Sequence, residues 1–275
     1  MKLNLEPAIE YSTSELAGLF TDSFKDYFVP VTINTQALIE IVRRDSVDLS
    51  VSRVLLIDNK PAGIALVARR GWENRVAAVG IIPEIRGKGA GSWMMNRMVE
   101  EAKGRHTRQL SLEVIDANIP ALHIYEKQGF RKIRKLVGYA GSIEPNSSGS
   151  EIEEIDLREL GKIVKSHGLA DLPWQISGET LAVFSSPSMA FKTGPAYAAI
   201  SNPEAEHVVI WSLLVMPQAR GQGLGVGMLR TLSSRFKDKV WHVPPLCPED
   251  ASYPFRKMGM QAEKISQWQM YLPLE

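Results

Sequence analysis

A glycine-rich turn that occurs twice limits the possible folds of this chain more than any other feature of its sequence. The two copies, RGKGAG at residues 86–91 and RGQGLG at residues 220–225, lie 134 residues apart. Pro83 and Pro217 each stand three residues before the first arginine, and an apolar run comes before each proline. A separation of 134 residues is too long for a solenoid repeat and is about the length of one domain. The repeat therefore predicts two copies of a single domain.

The stretch between the two copies contains a segment with the composition of a linker. Residues 142–151, SIEPNSSGSE, collect Pro, Asn, Ser and Gly and show no apolar periodicity. We therefore predict an N-terminal domain over residues 1–145 and a C-terminal domain over residues 146–275.

The apolar patterns follow the same order in both halves. Short apolar runs bounded by turn residues predict strands over residues 53–59, 62–70, 74–82, 109–115 and 130–140. Between them, an amphipathic pattern after the glycine turn predicts one helix, and residues 118–127 predict another. The second half repeats this order in shortened form, with strands over residues 196–201, 207–215 and 239–243. The predicted fold class is α/β, with two similar domains in tandem.

The turns have the composition of a phosphate-binding site. A strand that runs into a glycine turn and then a helix directs several backbone N–H groups and the positive end of the helix dipole at one point. Neither copy contains the Gly-Lys-Ser/Thr of a P-loop or the spacing of the dinucleotide fingerprint. Both copies satisfy Arg-x-x-Gly-x-Gly, at Arg86, Gly89 and Gly91 and again at Arg220, Gly223 and Gly225.

This pattern resembles the acetyl-coenzyme A motif of the GNAT N-acetyltransferases. The resemblance implies that each domain is a mixed, mostly antiparallel sheet flanked by helices and that acetyl-coenzyme A is the cosubstrate. It also implies that the backbone of the turn binds the pyrophosphate and that the strand splays near Ile81, so that its backbone pairs with the pantetheine arm. The implied binding residues are Ile81, Ile82, Arg86, Gly87, Lys88, Gly89, Ala90, Gly91 and Asn118, with Val215, Arg220, Gly221, Gln222, Gly223, Leu224 and Gly225 in the second half.

The block at residues 112–130, LEVIDANIPALHIYEKQGF, extends this resemblance. It is similar to the bacterial ribosomal-protein N-terminal acetyltransferases, in which a strand glutamate is the base and a helix tyrosine twelve residues later is the acid. Glu113 and Tyr125 occupy these positions. Packing is the alternative role of Tyr125, and a glutamate without catalytic use is the alternative for Glu113. Asn118 either orients the coenzyme or caps the second helix.

The second half departs from this pattern. Phe255 stands where the alignment places Tyr125, and a phenylalanine has no proton to donate. Tyr253 is a poor substitute because it lies on another side of the helix, and His242 is only a remote candidate for a base. Cys247 is expected to be a packing residue. We therefore predict a degenerate domain that retains at most coenzyme binding.

Composition excludes several other classes. The formal net charge of +1 and the absence of long runs of like charge argue against nucleic acid and membrane surfaces as partners. The single cysteine fits a reducing compartment, the N-terminus lacks a signal-peptide core, and we expect a cytoplasmic protein without a metal site. Its oligomeric state is expected to be a monomer or a homodimer.

The acceptor substrate is the part of the function that the sequence determines least. Residues 24–50 are expected to form helices that line the acceptor site, where Tyr27, Phe28 and Asp48 either recognise an amine or serve as core and cap residues. The predicted function is transfer of an acetyl group to a primary amine of a small molecule or peptide. The alternatives are a non-catalytic coenzyme A-binding sensor or scaffold and a nucleotide-binding module.

Overall fold

The structure is a computed structural model that describes residues 1–145 and 151–274. Residues 146–150, in the middle of the predicted linker, lie outside the described residues. The chain packs into two compact units. The first consists of Met1–Ile133 with Gln269–Glu275, and the second of Arg134–Trp268.

Strands and helices are interspersed along the chain. Up to the end of the first repeat they are β1 (Leu3–Pro7), α1 (Thr13–Ser23), α2 (Thr35–Asp45), β2 (Arg53–Ile57), β3 (Lys60–Arg70), β4 (Glu73–Ile81), α3 (Ala90–Gly104), β5 (Gln109–Ile115) and α4 (Ile119–Lys127). They continue as β6 (Arg131–Gly141), β7 (Glu153–Ile155), α5 (Leu157–His167), α6 (Gly178–Leu181), β8 (Met189–Thr193), β9 (Ala196–Ile200), β10 (His207–Val215), α7 (Leu224–Arg235), β11 (Val240–Pro248), α8 (Tyr253–Lys257), β12 (Gln261–Ala262) and β13 (Gln267–Pro273).

Each unit contains one mixed, mostly antiparallel sheet, as predicted. The strand order is β1-β2-β3-β4-β5-β13 in the first unit and β6-β11-β10-β9-β8-β7 in the second, where β12 also pairs with β6. β4 and β5 are parallel, and so are β10 and β11, because a helix connects the two strands of each pair. The strands and helices predicted around both glycine turns are present.

The compact units differ from the predicted domain ranges in two segments, one in β6 and one in β13. The strand β6 follows α4 directly in sequence, yet residues 134–141 of it belong to the second unit. The strand β13 lies near the end of the chain, yet residues 269–273 of it belong to the first unit, beside β5. Strand periodicity does not show which sheet a strand joins, so the predicted ranges of 1–145 and 146–275 place these residues in the opposite halves.

The helices that follow the glycine turns pack on their sheets through apolar faces. In α3, Met94, Met95, Met98 and Ala102 are buried, as their spacing predicts. In α7, Met228, Leu229 and Leu232 are buried in the same way. Burial of one such side chain is worth about 1.5–3 kcal/mol, so this face fixes the start of each helix relative to the turn. Within residues 1–145 and 151–274, no helix has both the length and the apolar character needed to cross a bilayer.

Candidate active site

The strands β4 and β5 separate after a short parallel contact. Residues Glu73, Asn74 and Arg75 pair with Gln109, Leu110 and Ser111, and in the described residues the pairing ends there. A bulge at Ala77 accompanies the separation, because Val67 pairs with Val76 and Leu66 pairs with Ala78. A bulge bends a strand and ends its pairing on one side. The remaining length of β4 therefore presents an open backbone edge toward β5, as the resemblance implied.

Of the two isoleucines predicted to bind the cosubstrate, Ile81 and Ile82, the directions of their backbone N–H groups show which one faces the open edge. The N–H of Ile82 donates to the carbonyl of Ala62 over 3.0 Å, so it faces β3 and is already bonded. Neighbouring residues of a strand direct their polar groups to opposite sides, and the N–H of Ile81 therefore faces the open edge. Of the two, only Ile81 can pair its backbone with a ligand in the splay.

The side chain of Arg86 holds the end of β4 against the end of α1. Its Nε donates to the carbonyl of Ile81 over 3.0 Å, and its Nη2 donates to the carbonyls of Ser23 and Lys25 over 3.2 and 2.6 Å. Its own N–H donates to the carbonyl of Pro83 over 3.1 Å. Carbonyls at a helix C-terminus lack intrahelical partners, and Arg86 satisfies them. Arg86 is therefore a positioning residue, and the free amides of the turn begin at Gly87.

Arg220 makes the matching contacts in the second unit. Its Nε donates to the carbonyl of Val215 over 3.1 Å, and its Nη2 donates to the carbonyl of His167 at the end of α5 over 2.7 Å. The repeated arginine thus has a structural task in both copies, which the sequence motif alone did not reveal.

The glycines of the turns adopt conformations that other residues rarely adopt. Gly87 and Gly89 have φ angles of 76° and 82°, and Gly221 and Gly223 have 78° and 76°. A Cβ at any of the four would meet no heavy atom within 4 Å, so backbone conformation and not crowding requires glycine there. The space toward which a Cβ would point is therefore free at all four glycines.

The amides of the first turn are available to an anion. In the described part of the chain, the N–H groups of Gly87 and Gly89 donate to no backbone carbonyl, and no side chain caps α3 at Gly89. The ammonium of Lys88 donates to the carbonyl of Glu84 over 2.8 Å, and the side chain of Ala90 is buried in the core. Backbone N–H groups and the helix dipole are thus the groups that would hold a diphosphate, and the turn fits one.

Tyr125 lies on α4, whose first turn is capped by Asn118. The Oδ1 atom of Asn118 accepts a hydrogen bond from the N–H of Ala121 over 3.2 Å, so the predicted capping role is present. The ring of Tyr125 packs edge-on against Phe130 at 5.9 Å between centroids. Burial raises the pKa of Tyr125 well above its ordinary value, and the neighbouring Tyr27 raises it further. Tyr125 is therefore a protonated phenol at neutral pH.

Tyr27 reaches the same place from the segment between α1 and α2. Burial raises the pKa of Tyr27, and the amide of Asn118 opposes this rise. Its ring makes edge-to-face contacts with Phe24 and Phe28, each at 5.3 Å between centroids. Tyr27 is thus part of an aromatic cluster with Phe24 and Phe28, which the sequence did not predict.

Asp48, the third residue considered for the acceptor, is already engaged. Its Oδ2 lies 2.7 Å from Nη1 of Arg69, and its Oδ1 accepts from the N–H and hydroxyl of Ser50 over 2.9 and 2.5 Å. Partial burial opposes ionisation, but these hydrogen bonds outweigh it and hold the pKa of Asp48 below its usual range. The carboxylate therefore stabilises the turn before β2.

Glu113 lies on β5 in a buried ion pair. Its Oε2 is 2.7 Å from Nε of Arg75, and the two side chains are 2% and 7% exposed. Asp45 approaches the same guanidinium at 3.9 Å. A carboxylate that takes up a proton here would lose its attraction to Arg75. The predicted role of Glu113 as the base stays a prediction, and this pairing opposes it.

The second unit contains the same splay and, next to it, a cavity. β10 and β11 pair only from His207 to Val209 and from Val240 to His242, and Trp211 forms the bulge. A cavity of about 330 Å³ lies in this unit. Its mostly apolar walls include Trp211, Leu213, Val215, Arg220, Gly225 and Phe255. The sequence did not predict this cavity. The apolar residues of the two strands beside the splay are the sequence feature that could have indicated it.

Other residue types stand in the second unit at the places of Tyr125 and Glu113. Phe255 is 4% exposed and stacks on Tyr139 at 5.9 Å, whereas Tyr253 is 58% exposed. From the register of the two parallel pairs, Pro244 occupies the position of Glu113. Nε2 of His242 lies 2.8 Å from Nδ1 of His207. His242 thus contacts another histidine in the paired first part of β11, before the position of Pro244.

Comparison with known proteins agrees with this geometry. The model of the Acetyltransferase (GNAT) family matches residues 15–130. Streptothricin acetyltransferase from Streptomyces lavendulae is 36% identical over 75 residues, which are 26% of this chain and 40% of that protein. The chain thus spans less than half the length of this curated relative.

Solved structures are similar over the whole chain. A GCN5-related N-acetyltransferase from Sphaerobacter thermophilus has a TM-score of 0.68 at 16% identity, with 99% of this chain and 96% of that chain covered. A tandem GNAT protein from the clavulanic acid biosynthesis pathway has a TM-score of 0.64 at 13% identity, with 100% and 99% covered. Likeness at such identities shows the fold. Residues 15–130 therefore match the GNAT acetyltransferase family, and the chain has the fold of tandem GNAT proteins over its full length.

Proposed function

We propose that the first unit transfers an acetyl group from acetyl-coenzyme A to a primary amine of a small molecule or peptide. The observation that supports this most strongly is the open glycine turn beside the splayed end of β4, with the protonated phenol of Tyr125 in the same unit. The match of residues 15–130 to the family supports the reaction class.

Binding of the cosubstrate uses backbone groups. The amides from Gly87 to Gly91 hold the pyrophosphate, and the N–H of Ile81 pairs with the pantetheine arm along the open edge of β4. Arg86 contributes indirectly, because it fixes the end of β4 and the end of α1 on either side of this edge.

Tyr125 supplies the proton that the leaving group needs. The neutral amine attacks the thioester carbonyl carbon, the carbon–sulfur bond breaks, and Tyr125 donates its proton to the departing thiolate. A coenzyme thiolate has a pKa of about 8.5 by analogy with cysteine, so it is protonated in the product at neutral pH. A phenol is protonated at neutral pH already at its ordinary pKa of about 10, so the proton is present before the reaction. The raised pKa of Tyr125 makes the transfer of this proton to the thiolate more costly.

The proton of the attacking amine needs a second acceptor. Glu113 is the candidate from the motif, directly or through water, and its carboxylate is engaged in the ion pair with Arg75. Water at the open edge is the other acceptor available to the amine.

The second unit is proposed to bind a coenzyme without turnover. Its turn has the same glycine conformations at Gly221 and Gly223, and its cavity lies at the splay beside Val215 and Arg220. Phe255 and Pro244 replace the acid and the candidate base. This unit then completes the fold or senses the coenzyme.

The alternative for the whole chain is a coenzyme A-binding sensor or scaffold. The buried ion pair of Glu113 favours this alternative, because a protein without a free base would bind the coenzyme and not react. The two functions differ in whether any amine receives an acetyl group.

An amine panel with acetyl-coenzyme A tests the proposal. The panel includes streptothricin, because part of the chain resembles a streptothricin acetyltransferase, together with polyamines, aminoglycosides and peptides with free N-termini. Acetylated product is detected by mass, and coenzyme release is followed with a thiol reagent. Product that forms with the wild type and falls in Tyr125→Phe, but not in the exposed-residue control Tyr253→Phe, supports the enzyme. Coenzyme binding with equal background in all three proteins supports the scaffold instead.

A further inference from the structure

The cavity of the second unit lies in the splay between β10 and β11. In the described residues, the parallel pairing of these strands ends at Val209 and His242. The residues that come next on both strands line the cavity: residues 210–215 of β10, and Val243, Pro244, Leu246, Cys247 and Pro248 of β11. In the first unit the corresponding splay is the proposed place of the pantetheine arm. The cavity thus stands where the acyl end of a coenzyme would reach.

The walls of the cavity join the glycine turn to an apolar segment after α5. Arg220 belongs to the turn, and Leu169 and Leu172 belong to the segment. Of the residues that line the cavity, only Arg220 and Asp250 carry a charge, and both are exposed. An apolar group inside the cavity would therefore bury its surface without desolvating a buried charge.

The volume of the cavity exceeds what an acetyl group needs. At about 330 Å³ it is near the lower end of the range of about 300–1,000 Å³ that is usual for small-molecule sites. A methylene group is about as large as a water molecule, which takes up roughly 30 Å³ in the liquid, so a chain of about eight carbons fits. An acetyl group would leave most of the apolar walls uncovered.

The corresponding face of the first unit is packed differently. Leu214 of β10 stands where the repeat places Gly80 of β4. A Cβ at Gly80 would be only 2.8 Å from the ring of Phe24 and from Cβ of Ser23, so the end of α1 lies directly on β4. In the second unit the side chain of Leu214 packs in one cluster with Val164 of α5. A leucine needs more room between helix and strand than a glycine, which favours the cavity on this side.

We propose that the second unit binds an acyl-coenzyme A with a medium-length saturated chain, of about eight carbons, and that this chain lies in the cavity. The inference rests on the proposed function of the second unit, which is to bind a coenzyme without turnover. The diphosphate lies at the glycine turn, and the chain packs against Trp211, Leu213 and Leu172. Because Phe255 and Pro244 stand at the places of Tyr125 and Glu113, the thioester stays intact.

A series of acyl-coenzymes A tests the length of the chain. Calorimetric titration compares acetyl-, butanoyl-, hexanoyl- and octanoyl-coenzyme A. We expect the Kd of one of the two sites to fall by up to about fourfold for each added methylene, and by more than about 100-fold from acetyl to octanoyl. A site with the same Kd for the whole series would overturn the inference.

Tryptophan emission assigns this binding to the cavity. Trp211 lines the cavity, and indole emission responds to the polarity of its surroundings. We expect octanoyl-coenzyme A to shift the emission more than acetyl-coenzyme A does, and Trp211→Phe to remove this difference. The control is Trp72→Phe, because Trp72 is 62% exposed in the first unit. An unchanged difference in Trp211→Phe would place the chain elsewhere and overturn the inference.

A charge in the cavity wall provides a second variant. Leu169 is 38% exposed, so Leu169→Glu is expected to fold. Its carboxylate should weaken binding of octanoyl-coenzyme A to the second unit about tenfold or more and leave acetyl-coenzyme A unaffected. The matched control is Val183→Glu, because Val183 is 42% exposed in the same unit and lies outside the cavity walls. Equal losses for both ligands in Leu169→Glu would contradict the placement of the chain.

The outcomes separate this inference from the proposed function on which it rests. Coenzyme binding by the second unit with one Kd for every chain length refutes only the inference. A second unit that binds none of the acyl-coenzymes A refutes its proposed coenzyme binding and the inference together. Acetyl transfer by the first unit is measured separately with the amine panel.

Discussion

Glu113 and Arg75 form a buried ion pair in which Oε2 and Nε are 2.7 Å apart and the side chains are 2% and 7% exposed. Loss of one partner leaves a desolvated charge, which typically costs 3–5 kcal/mol. We expect Glu113→Gln to lower the free energy of unfolding by about 3 kcal/mol, near the lower end because Asp45 also faces Arg75. Urea denaturation measures this change.

The matched control is Glu100→Gln, because Glu100 pairs with Arg97 on the surface and both side chains are 56% exposed. Its expected effect is below about 1 kcal/mol. Equal and small changes in both variants would show that the Glu113 pair is not structural. A fall in kcat without loss of stability in Glu113→Gln would favour its role as the base.

Gly89 requires a left-handed backbone, with a φ of 82°. We expect Gly89→Ala to cost about 1–2 kcal/mol of unfolding free energy and to weaken binding of acetyl-coenzyme A. Gly18 lies exposed inside α1, where a Cβ would meet nothing within 4 Å. Gly18→Ala is therefore expected to stabilise the protein by roughly 0.5–1 kcal/mol. Thermal unfolding of both variants checks the opposite signs, and a Gly89→Ala variant as stable as the wild type or more stable would contradict the assigned turn conformation.

Arg86 joins the end of β4 to the end of α1 through three carbonyls. We expect Arg86→Lys to raise the Kd of acetyl-coenzyme A severalfold, although the charge is kept, because an ammonium cannot reach all three acceptors in this geometry. Calorimetric titration gives the affinity. A control is Arg97→Lys, on the exposed face of α3. Unchanged affinity in Arg86→Lys would remove the positioning role.

The buried thiol of Cys247 predicts that the free energy of unfolding depends on pH. Desolvation, with the nearby Asp250, raises the pKa of its thiol from 9.0 to about 12. Above pH 9 the unfolded chain releases this proton and the folded chain keeps it, so the stabilising effect is complete below pH 9 and is lost as the pH rises toward 12. The slope is at most about 1.4 kcal/mol per pH unit. Cys247→Ala should flatten the stability curve over this range, measured by urea unfolding, and an identical slope in both proteins would argue against the buried thiol.

The cavity of the second unit leads us to expect a second molecule of coenzyme A per chain. Its cavity of about 330 Å³ is lined in part by Leu213. We expect calorimetry to give two coenzyme A molecules per chain for the wild type and one for Leu213→Trp, whose larger ring fills the cavity. One molecule per chain in both proteins would leave the second unit as a structural copy.

Much of the fold follows from local patterns in the sequence. The repeated turn, the strands before it and the apolar faces of α3 and α7 are present as predicted, because each depends on residues close together in the chain. The exchange of β6 and β13 was not predictable in this way. The apolar pattern of residues 130–140 indicates a strand, but only tertiary contacts decide that residues 134–141 join the second unit.

The site shows the same division. The conformations of Gly87 and Gly89 follow from the motif, and so does the cap at Asn118. The partner of Glu113 does not, because Arg75 is distant from it in the sequence. Side-chain pairing between segments is therefore where the structure adds most to the functional assignment.

The kcat of Tyr125→Phe with acetyl-coenzyme A and an accepted amine tests the central claim most directly. The substitution removes only the hydroxyl, and the ring that packs against Phe130 is kept. A general acid contributes roughly 10²–10⁴-fold to the rate, so kcat should fall by about this factor while the KM for acetyl-coenzyme A stays within about twofold. A variant with the kcat of the wild type would contradict the account.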